Sequence, residues 1–192
     1  MELTKRGLAR SRGGFTLIEL LIVMAVLGVL AVVILLAINP VQQLARTRDS
    51  GRKSTVTQIG HSLEAYFTAR GGTYLTSTNC TGVATAWLGC LQTAGEISTV
   101  PSSIAYSVTG TAACTITGAG TRGIQNNLCY SVNATGDQAI VYVTLESSAE
   151  RTKCATGTAG YFVWSTADGR GGLICLASGE PSPGTQTWNA TQ

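Results

Sequence analysis

From Phe15 to Ile38 the chain reads FTLIELLIVMAVLGVLAVVILLAI, a run of 24 residues in which only Thr16 and Glu19 are polar. As a helix the run would be roughly 36 Å long, enough to cross a hydrocarbon layer of about 30 Å with some tilt. A helix in the core of a soluble domain is seldom apolar on every face over such a length. Ahead of it lie Lys5, Arg6, Arg10 and Arg12 with one acid, Glu2. The bias of Lys and Arg toward the cytoplasm then predicts that the residues after the run sit outside. A secretory signal is the alternative, but its apolar region is roughly 7–15 residues long and ends in a small-x-small site. Here Asn39-Pro40 follows the run without one.

Glu19 is the residue that a plain anchor does not explain. A carboxylate inside a membrane segment is costly and marks a functional site by default. It needs a partner or a proton. No basic residue lies between Arg12 and Arg46, so its own apolar helix supplies none. Cleavage between Gly14 and Phe15 would create a counter-charge, an α-ammonium four residues before Glu19. In helices staggered by about one turn, the ammonium of one copy would meet the carboxylate of the next. Pairing of this head-to-tail kind is heterologous and builds an open filament. The simpler reading leaves Glu19 near the helix start, favouring the dipole or snorkelling to the interface.

The flanking residues decide between these readings. Arg12-Gly13-Gly14-Phe15-Thr16-Leu17-Ile18-Glu19-Leu20 closely resembles the class III signal of type IV pilins and type II secretion pseudopilins. The resemblance implies a leader at 1–14, cut by a prepilin peptidase between Gly14 and Phe15. It implies N-methylation of Phe15 by the same peptidase/methyltransferase, and subunit docking through Phe15 and Glu19. It also implies a pilin-like α+β fold in which a long N-terminal helix packs on a small antiparallel β-sheet head. The helix would have a hydrophobic half at 15–38, in membrane or filament core, and an amphipathic continuation at 39–70; the head would span 71–192.

The partners so implied are membrane lipid before assembly, an inner-membrane assembly platform, and like subunits in a homopolymer. The precursor would be a single-pass protein of the bacterial inner membrane with its head outside. The mature chain would be a structural subunit of an extracellular type IV pilus. The alternative is a periplasmic pseudopilus of a type II secretion or DNA-uptake machine. A weaker likeness extends to about Thr73, through Ser62-Leu63-Glu64-Ala65-Tyr66-Phe67 and Gly71-Gly72-Thr73-Tyr74, and Gly28 matches a small residue common in the family's helix. Many members carry a proline near the middle of the apolar run, whereas here Pro40 stands at its outer end.

Beyond the run, a helix can begin again at Pro40, because proline is tolerated in a first turn. Apolar residues at 56, 59, 63, 66 and 67 keep helical spacing with one face to bury, and Gly71-Gly72 ends it. If continuous from Phe15 to Arg70, the helix would run about 84 Å. The charges Arg46, Arg48, Asp49, Arg52 and Lys53 read as a solvated or intersubunit face rather than a phosphate site. From Gly72 onward Gly, Ser, Thr, Ala and Asn dominate. Strand-like runs appear at 104–108, 114–117, 128–132, 139–145, 161–164 and 173–176, many separated by Gly-containing turns. The clearest, AIVYVTL, predicts a small antiparallel sheet with one face on the helix. The residues after Leu176 read as loop, ordered by Trp188.

Cys80, Cys90, Cys114, Cys129, Cys154 and Cys175 all lie in the part expected outside. An even count there predicts three disulfides, with fifteen connectivities open. The sequential set, 80–90, 114–129 and 154–175, closes short local loops and is the expectation. Its last pair resembles the C-terminal disulfide loop of many pilins. Zinc would favour C-x₂₋₄-C pairs, but the closest cysteines here have nine residues between them.

Composition narrows the function. Without the leader, nine Lys and Arg face nine Asp and Glu, leaving no positive excess to steer the chain onto nucleic acid. His61 is the single histidine and reads as a surface or packing residue. Asp168 alone falls short of the several oxygens that calcium requires. No Walker loop, nucleophile elbow, carboxylate pair or dinucleotide fingerprint occurs, so neither an enzyme nor a bound cofactor or metal is expected.

Overall fold

A computed structural model describes residues 14–106, 114 and 121–190. It divides into two compact units, Met1–Pro40 and Val41–Gln192.

In the first unit, helix α1 spans Leu17–Ile38. Its Leu, Ile, Val and Met side chains are all exposed, from 50% at Val23 to 86% at Leu17. Among the described residues the helix therefore buries no face. Its 22 residues correspond to about 33 Å, the length of a single-pass membrane anchor. It stops at Asn39, whose φ of 46° and ψ of 77° are left-handed. Two local causes coincide there: a residue before proline is pushed out of the helical region, and asparagine tolerates the left-handed one. The helix considered for Phe15–Arg70 is thus interrupted at Asn39, and a second one restarts at Pro40.

That second helix, α2, spans Pro40–Ala69, with proline at its first position, where no intrahelical N–H is needed. Val56, Ile59, Leu63 and Tyr66 are buried and Phe67 is partly buried, the positions that helical spacing picks out. Gly72, at φ 84°, closes α2 by donating its N–H to the Phe67 carbonyl at 2.9 Å. A third helix, α3, spans Val83–Ala94, where the sequence pattern predicts no element. Among the described residues the strands are β1 (Thr121–Gln125), β2 (Leu128–Val132), β3 (Ala139–Thr144), β4 (Ala159–Ser165) and β5 (Arg170–Leu176). They form one antiparallel sheet in the order β1-β2-β3-β4-β5. A short helix, α4 (Ser148–Arg151), interrupts the path from β3 to β4.

The expected strands at 128–132, 139–145, 161–164 and 173–176 correspond to β2–β5. Residues 104–106 carry no strand. Residues 107–108 and 115–117 lie outside the described residues. Strand β1 meets β2 through Asn126 (φ 54°) and Asn127 (φ 64°), the two positive-φ positions of a type I′ hairpin turn.

The register separates two sets of side chains. Tyr130, Val141 and Trp164 lie on one face and Cys129, Tyr142 and Val163 on the other. On the first face α2 approaches so closely that a Cβ on Gly60 would stand 2.2 Å from the Trp164 ring. Helix α3 covers Gly123 of β1, where an added Cβ would stand 2.2 Å from the Val83 carbonyl oxygen. The second face is buried too: Tyr142 and Ile174 are each 1% exposed.

The cover on this second side comes from the tail. Glu180 accepts hydrogen bonds from Arg122 (2.9 Å) and Tyr142 (3.0 Å). The Ser165 hydroxyl donates to the Gly184 carbonyl, and Trp188 bridges Ile174. The sheet therefore has two buried faces rather than one, which is why AIVYVT is apolar almost throughout.

Disulfides join Cys80 to Cys90, Cys114 to Cys129 and Cys154 to Cys175. The α+β layout, with an N-terminal apolar helix and a helix packed on an antiparallel sheet, is that of the pilin-like fold.

Candidate functional site

The first site is the start of α1. Gly14, Phe15 and Thr16 are non-helical and exposed, so the Gly14–Phe15 bond stands just outside the helix in open backbone. Phe15 is 87% exposed. Thr16 is the N-cap, with φ −77° and ψ 151°. Its side-chain oxygen accepts the Glu19 N–H at 3.3 Å. In return one carboxylate oxygen of Glu19, Oε2, accepts the Thr16 N–H at 2.9 Å and the Thr16 hydroxyl at 2.7 Å. This is a complete capping box, satisfying two donors that a helix start otherwise leaves orphaned.

The lone acid of the apolar run thus has a local hydrogen-bonding partner that is not a charge. The Thr-x-x-Glu spacing is the signal that would have revealed it. Negative charge is also favoured there by the helix dipole. Residues 1–13 lie outside the described residues.

The second cluster is the one that the charge pattern predicts as a solvated or intersubunit face; Arg46 is exposed and Arg48 and Lys53 partly so, but Asp49 and Arg52 turn inward. Asp49 and Arg52 are each 1% exposed. The Arg52 guanidinium donates to Asp49 Oδ1 (2.6 Å), Glu146 Oε2 (2.9 Å) and the Ala105 carbonyl (2.6 Å), and lies 3.9 Å from the Tyr106 ring centre. Arg48 donates to both Glu146 oxygens. Asp49 accepts the backbone N–H groups of Glu146 and Ser147.

Two cations and two carboxylates thus close on one another, tying α2 to the segment entering α4. With its guanidinium taken up in this way, Arg52 is no phosphate ligand. Burial was not legible from α2 alone, because Glu146 lies 94 residues further on. Beside the cluster, Lys53 and Lys153 both pair with Glu150. Burial alone would push the Glu150 carboxyl up, but the two ammonium groups outweigh it and hold it below its ordinary value.

The remaining candidates have structural placements. His61 is exposed and sets its ring edge-on to Trp164 at 4.4 Å between centres. Trp164 in turn donates its indole N–H to Glu64 at 3.2 Å. Asp168 accepts the Gln186 N–H and so helps hold the tail. Two adjoining grooves of about 510 and 590 Å³ share Tyr66, Arg70 and Asn79, and Arg70 is the one charged side chain lining either. They gather no convergent acid and base of the kind catalysis requires.

Comparison with curated proteins and with solved structures finds no match for this chain. Residues 9–35, which include the exposed Gly14–Phe15 junction and the Thr16–Glu19 capping box, match the model described as the prokaryotic N-terminal methylation motif. That motif is the class III signal of type IV pilins and pseudopilins, and it supports reading the chain as a pilin-like or pseudopilin precursor.

Proposed function

We propose that the chain is a structural subunit of a type IV pilus filament. The observation that carries this reading is α1: an apolar helix exposed on every side, with its single acid in the first turn directly after the Gly14–Phe15 bond. Such a surface needs lipid or neighbouring copies to cover it. In the precursor, lipid covers it. Cleavage after Gly14 gives Phe15 a free α-amino group, which is N-methylated.

At an inner-membrane assembly platform, α1 leaves the bilayer and packs among copies of itself, exchanging lipid for Leu, Ile and Val. That exchange is close to neutral in transfer energy, because lipid tails are as apolar as these side chains. The direction and register of packing therefore come from the charged pair, Glu19 of one copy with the Phe15 ammonium of the next. A buried ion pair is better suited to fixing register than to adding net stability. Unit 2 would form the outward-facing head, closed by three disulfides against an oxidising exterior.

Replacement Glu19→Ala tests the docking role. The variant should still insert and be cleaved, while filament yield collapses. Normal filament yield would refute it. Electron microscopy of the cells tests the assembly: surface fibres containing this chain support the pilus. Retention of the assembled chain in the periplasm would instead identify a pseudopilus of a secretion or DNA-uptake machine.

A further inference from the structure

We propose that the two adjoining grooves of unit 2 form a binding site for a saccharide that carries a carboxylate. Tyr66 and Arg70, at the end of α2, line both grooves together with Asn79. The larger, about 590 Å³, is walled by residues 73 and 76–79 and by the turn between β2 and β3 at Asn133, Ala134 and Thr135. The smaller, about 510 Å³, runs on over α3 and the Cys80–Cys90 disulfide. Each volume falls in the range of small-molecule sites. All of these residues belong to unit 2, so the inference does not depend on how α1 assembles.

Tyr66 is the observation that points to a ligand. It is only 4% exposed. Among the described residues its hydroxyl has no hydrogen-bond partner, yet that oxygen is not sealed from solvent. The polar tip of this otherwise buried side chain therefore opens into the grooves that it lines. A buried tyrosine ordinarily satisfies its O–H within the protein. Tyr130 does so by donating to the Leu75 carbonyl at 2.9 Å, and Tyr142 by donating to Glu180 at 3.0 Å.

The groups around Tyr66 select the class of ligand. Arg70 is exposed, stands 5.7 Å from the Tyr66 ring centre, and among the described residues pairs with no acid. The hydroxyls of Thr73, Thr76, Ser77 and Thr78 make no hydrogen bond among the described residues. Each of them can both donate and accept, which matches the hydroxyls of a sugar ring. The wall at Ala86, Gly89 and Ala94 is small and apolar, suited to the C–H face of that ring. One guanidinium offers a bidentate seat for one carboxylate. Nucleic acid would call for several cations. Peptide segments use strand edges, apolar clefts or Arg clusters, and one Arg among hydroxyls is none of these.

The frame is set before a ligand arrives. Asn79 accepts the Thr76 N–H at 2.7 Å and donates to the Tyr74 carbonyl at 2.8 Å. Asn133 accepts the N–H groups of Gly136, Asp137 and Gln138. Both amides are spent on holding the rim, which leaves recognition to Tyr66, Arg70 and the hydroxyls and lowers the cost of ordering them.

Calorimetric titration of the full chain, in a detergent without a sugar headgroup, tests the assignment. The probes are trigalacturonate and sialyllactose, with galactotriose and lactose as their neutral counterparts and inorganic phosphate as a bare anion. At least one acidic sugar should bind about tenfold or more tighter than its neutral counterpart, the change expected of a hydrogen bond to a charged group. Phosphate should bind no better than the neutral sugars. Arg70→Gln should abolish the preference for acid and leave the neutral sugars unaffected. Tyr66→Phe should weaken acidic and neutral sugars alike, by about threefold or more. Urea unfolding of both variants should match the parent, since each removes a polar group that holds nothing in the fold. The proposal falls if neither acidic sugar binds, if phosphate binds as tightly as they do, or if the preference survives Arg70→Gln. Unchanged binding by Tyr66→Phe would overturn it equally, leaving Tyr66 a core residue and no more.

Discussion

Gly60 offers a test in which the sign of the effect, not only its size, is at stake. In the interior of a helix, Gly→Ala is ordinarily favourable by about 1 kcal/mol, because alanine restricts the unfolded chain and shields the backbone. At Gly60 the added methyl would stand 2.2 Å from Cγ of Trp164 and 2.4 Å from both Cδ1 and Cδ2. Ordinary carbon contacts begin near 3.5 Å, so the ring would have to retreat by more than about 1 Å. All three atoms belong to one rigid indole, so no flexible tail can swing aside. The indole is held by Glu64 at 3.2 Å.

The cost should therefore lie at the upper end of the overpacking range, about 3 kcal/mol. Against the helical gain, Gly60→Ala should lose about 2 kcal/mol net. In a unit of this size that corresponds to a fall in Tm of about 4–8 °C. Gly51 is the internal control. It sits in the same helix with nothing within 4 Å of its Cβ position, so Gly51→Ala should gain about 1 kcal/mol. Urea unfolding of the intact chain in detergent, followed by tryptophan fluorescence, measures both. A Gly60→Ala variant as stable as the parent, or more so, would refute the close approach of α2 to β4.

Three further outcomes follow from the same structure. Arg52→Met leaves Asp49 and Glu146 buried with one cation fewer and should cost about 3–5 kcal/mol in urea unfolding; a loss below 1 kcal/mol would place the cluster in solvent. Replacing Cys154 and Cys175 together by Ser opens a link of sequence separation 21 and should lower stability by about 3 kcal/mol. Burial pushes the Tyr130 and Tyr142 phenols up from an ordinary value of 10.0, with Glu180 adding to the effect at Tyr142. Above that pH the unfolded chain loses protons that the folded chain keeps, so stability should hold up to about pH 10 and fall beyond it. Tyrosinate absorbance from these two residues should accordingly appear together with unfolding, and its appearance in folded protein would contradict their burial.

The parts of the fold that were legible in the sequence are those where one physical signal dominates. The run from Phe15 to Ile38 is apolar in every direction, and no other reading survives its length. Strands β2 to β5 carry β-branched and aromatic residues in short runs between turns. Helix α3 was hidden by its composition: VATAWLGCLQTA mixes small residues, Thr and Gly and starts at a left-handed glycine without a side-chain cap. Strand β1, TRGIQ, offers one branched apolar residue, and its Gly123 is present because α3 leaves no room for a side chain.

At the N-terminal site, the acid was legible because charge in an apolar run is an anomaly. Its tie to Thr16 was equally written in the Thr-x-x-Glu spacing. The burial of Arg52 was not, since a charge defaults to the surface unless its partner is known, and Glu146 is reachable only through the fold.

The C-terminal tail has a consequence for crowding. An antiparallel sheet ends in strands whose outer N–H and C=O groups invite pairing with any passing chain. Here the Asn189 N–H occupies the Leu173 carbonyl at 2.9 Å, Trp188 bridges Ile174, and Arg170 lies over the Trp188 ring at 4.6 Å. The free border of β5 is thereby partly closed by the molecule itself. Where many heads are brought side by side at high local density, that closure turns away strand-to-strand zipping between them and leaves the greasy stalk to decide who binds whom.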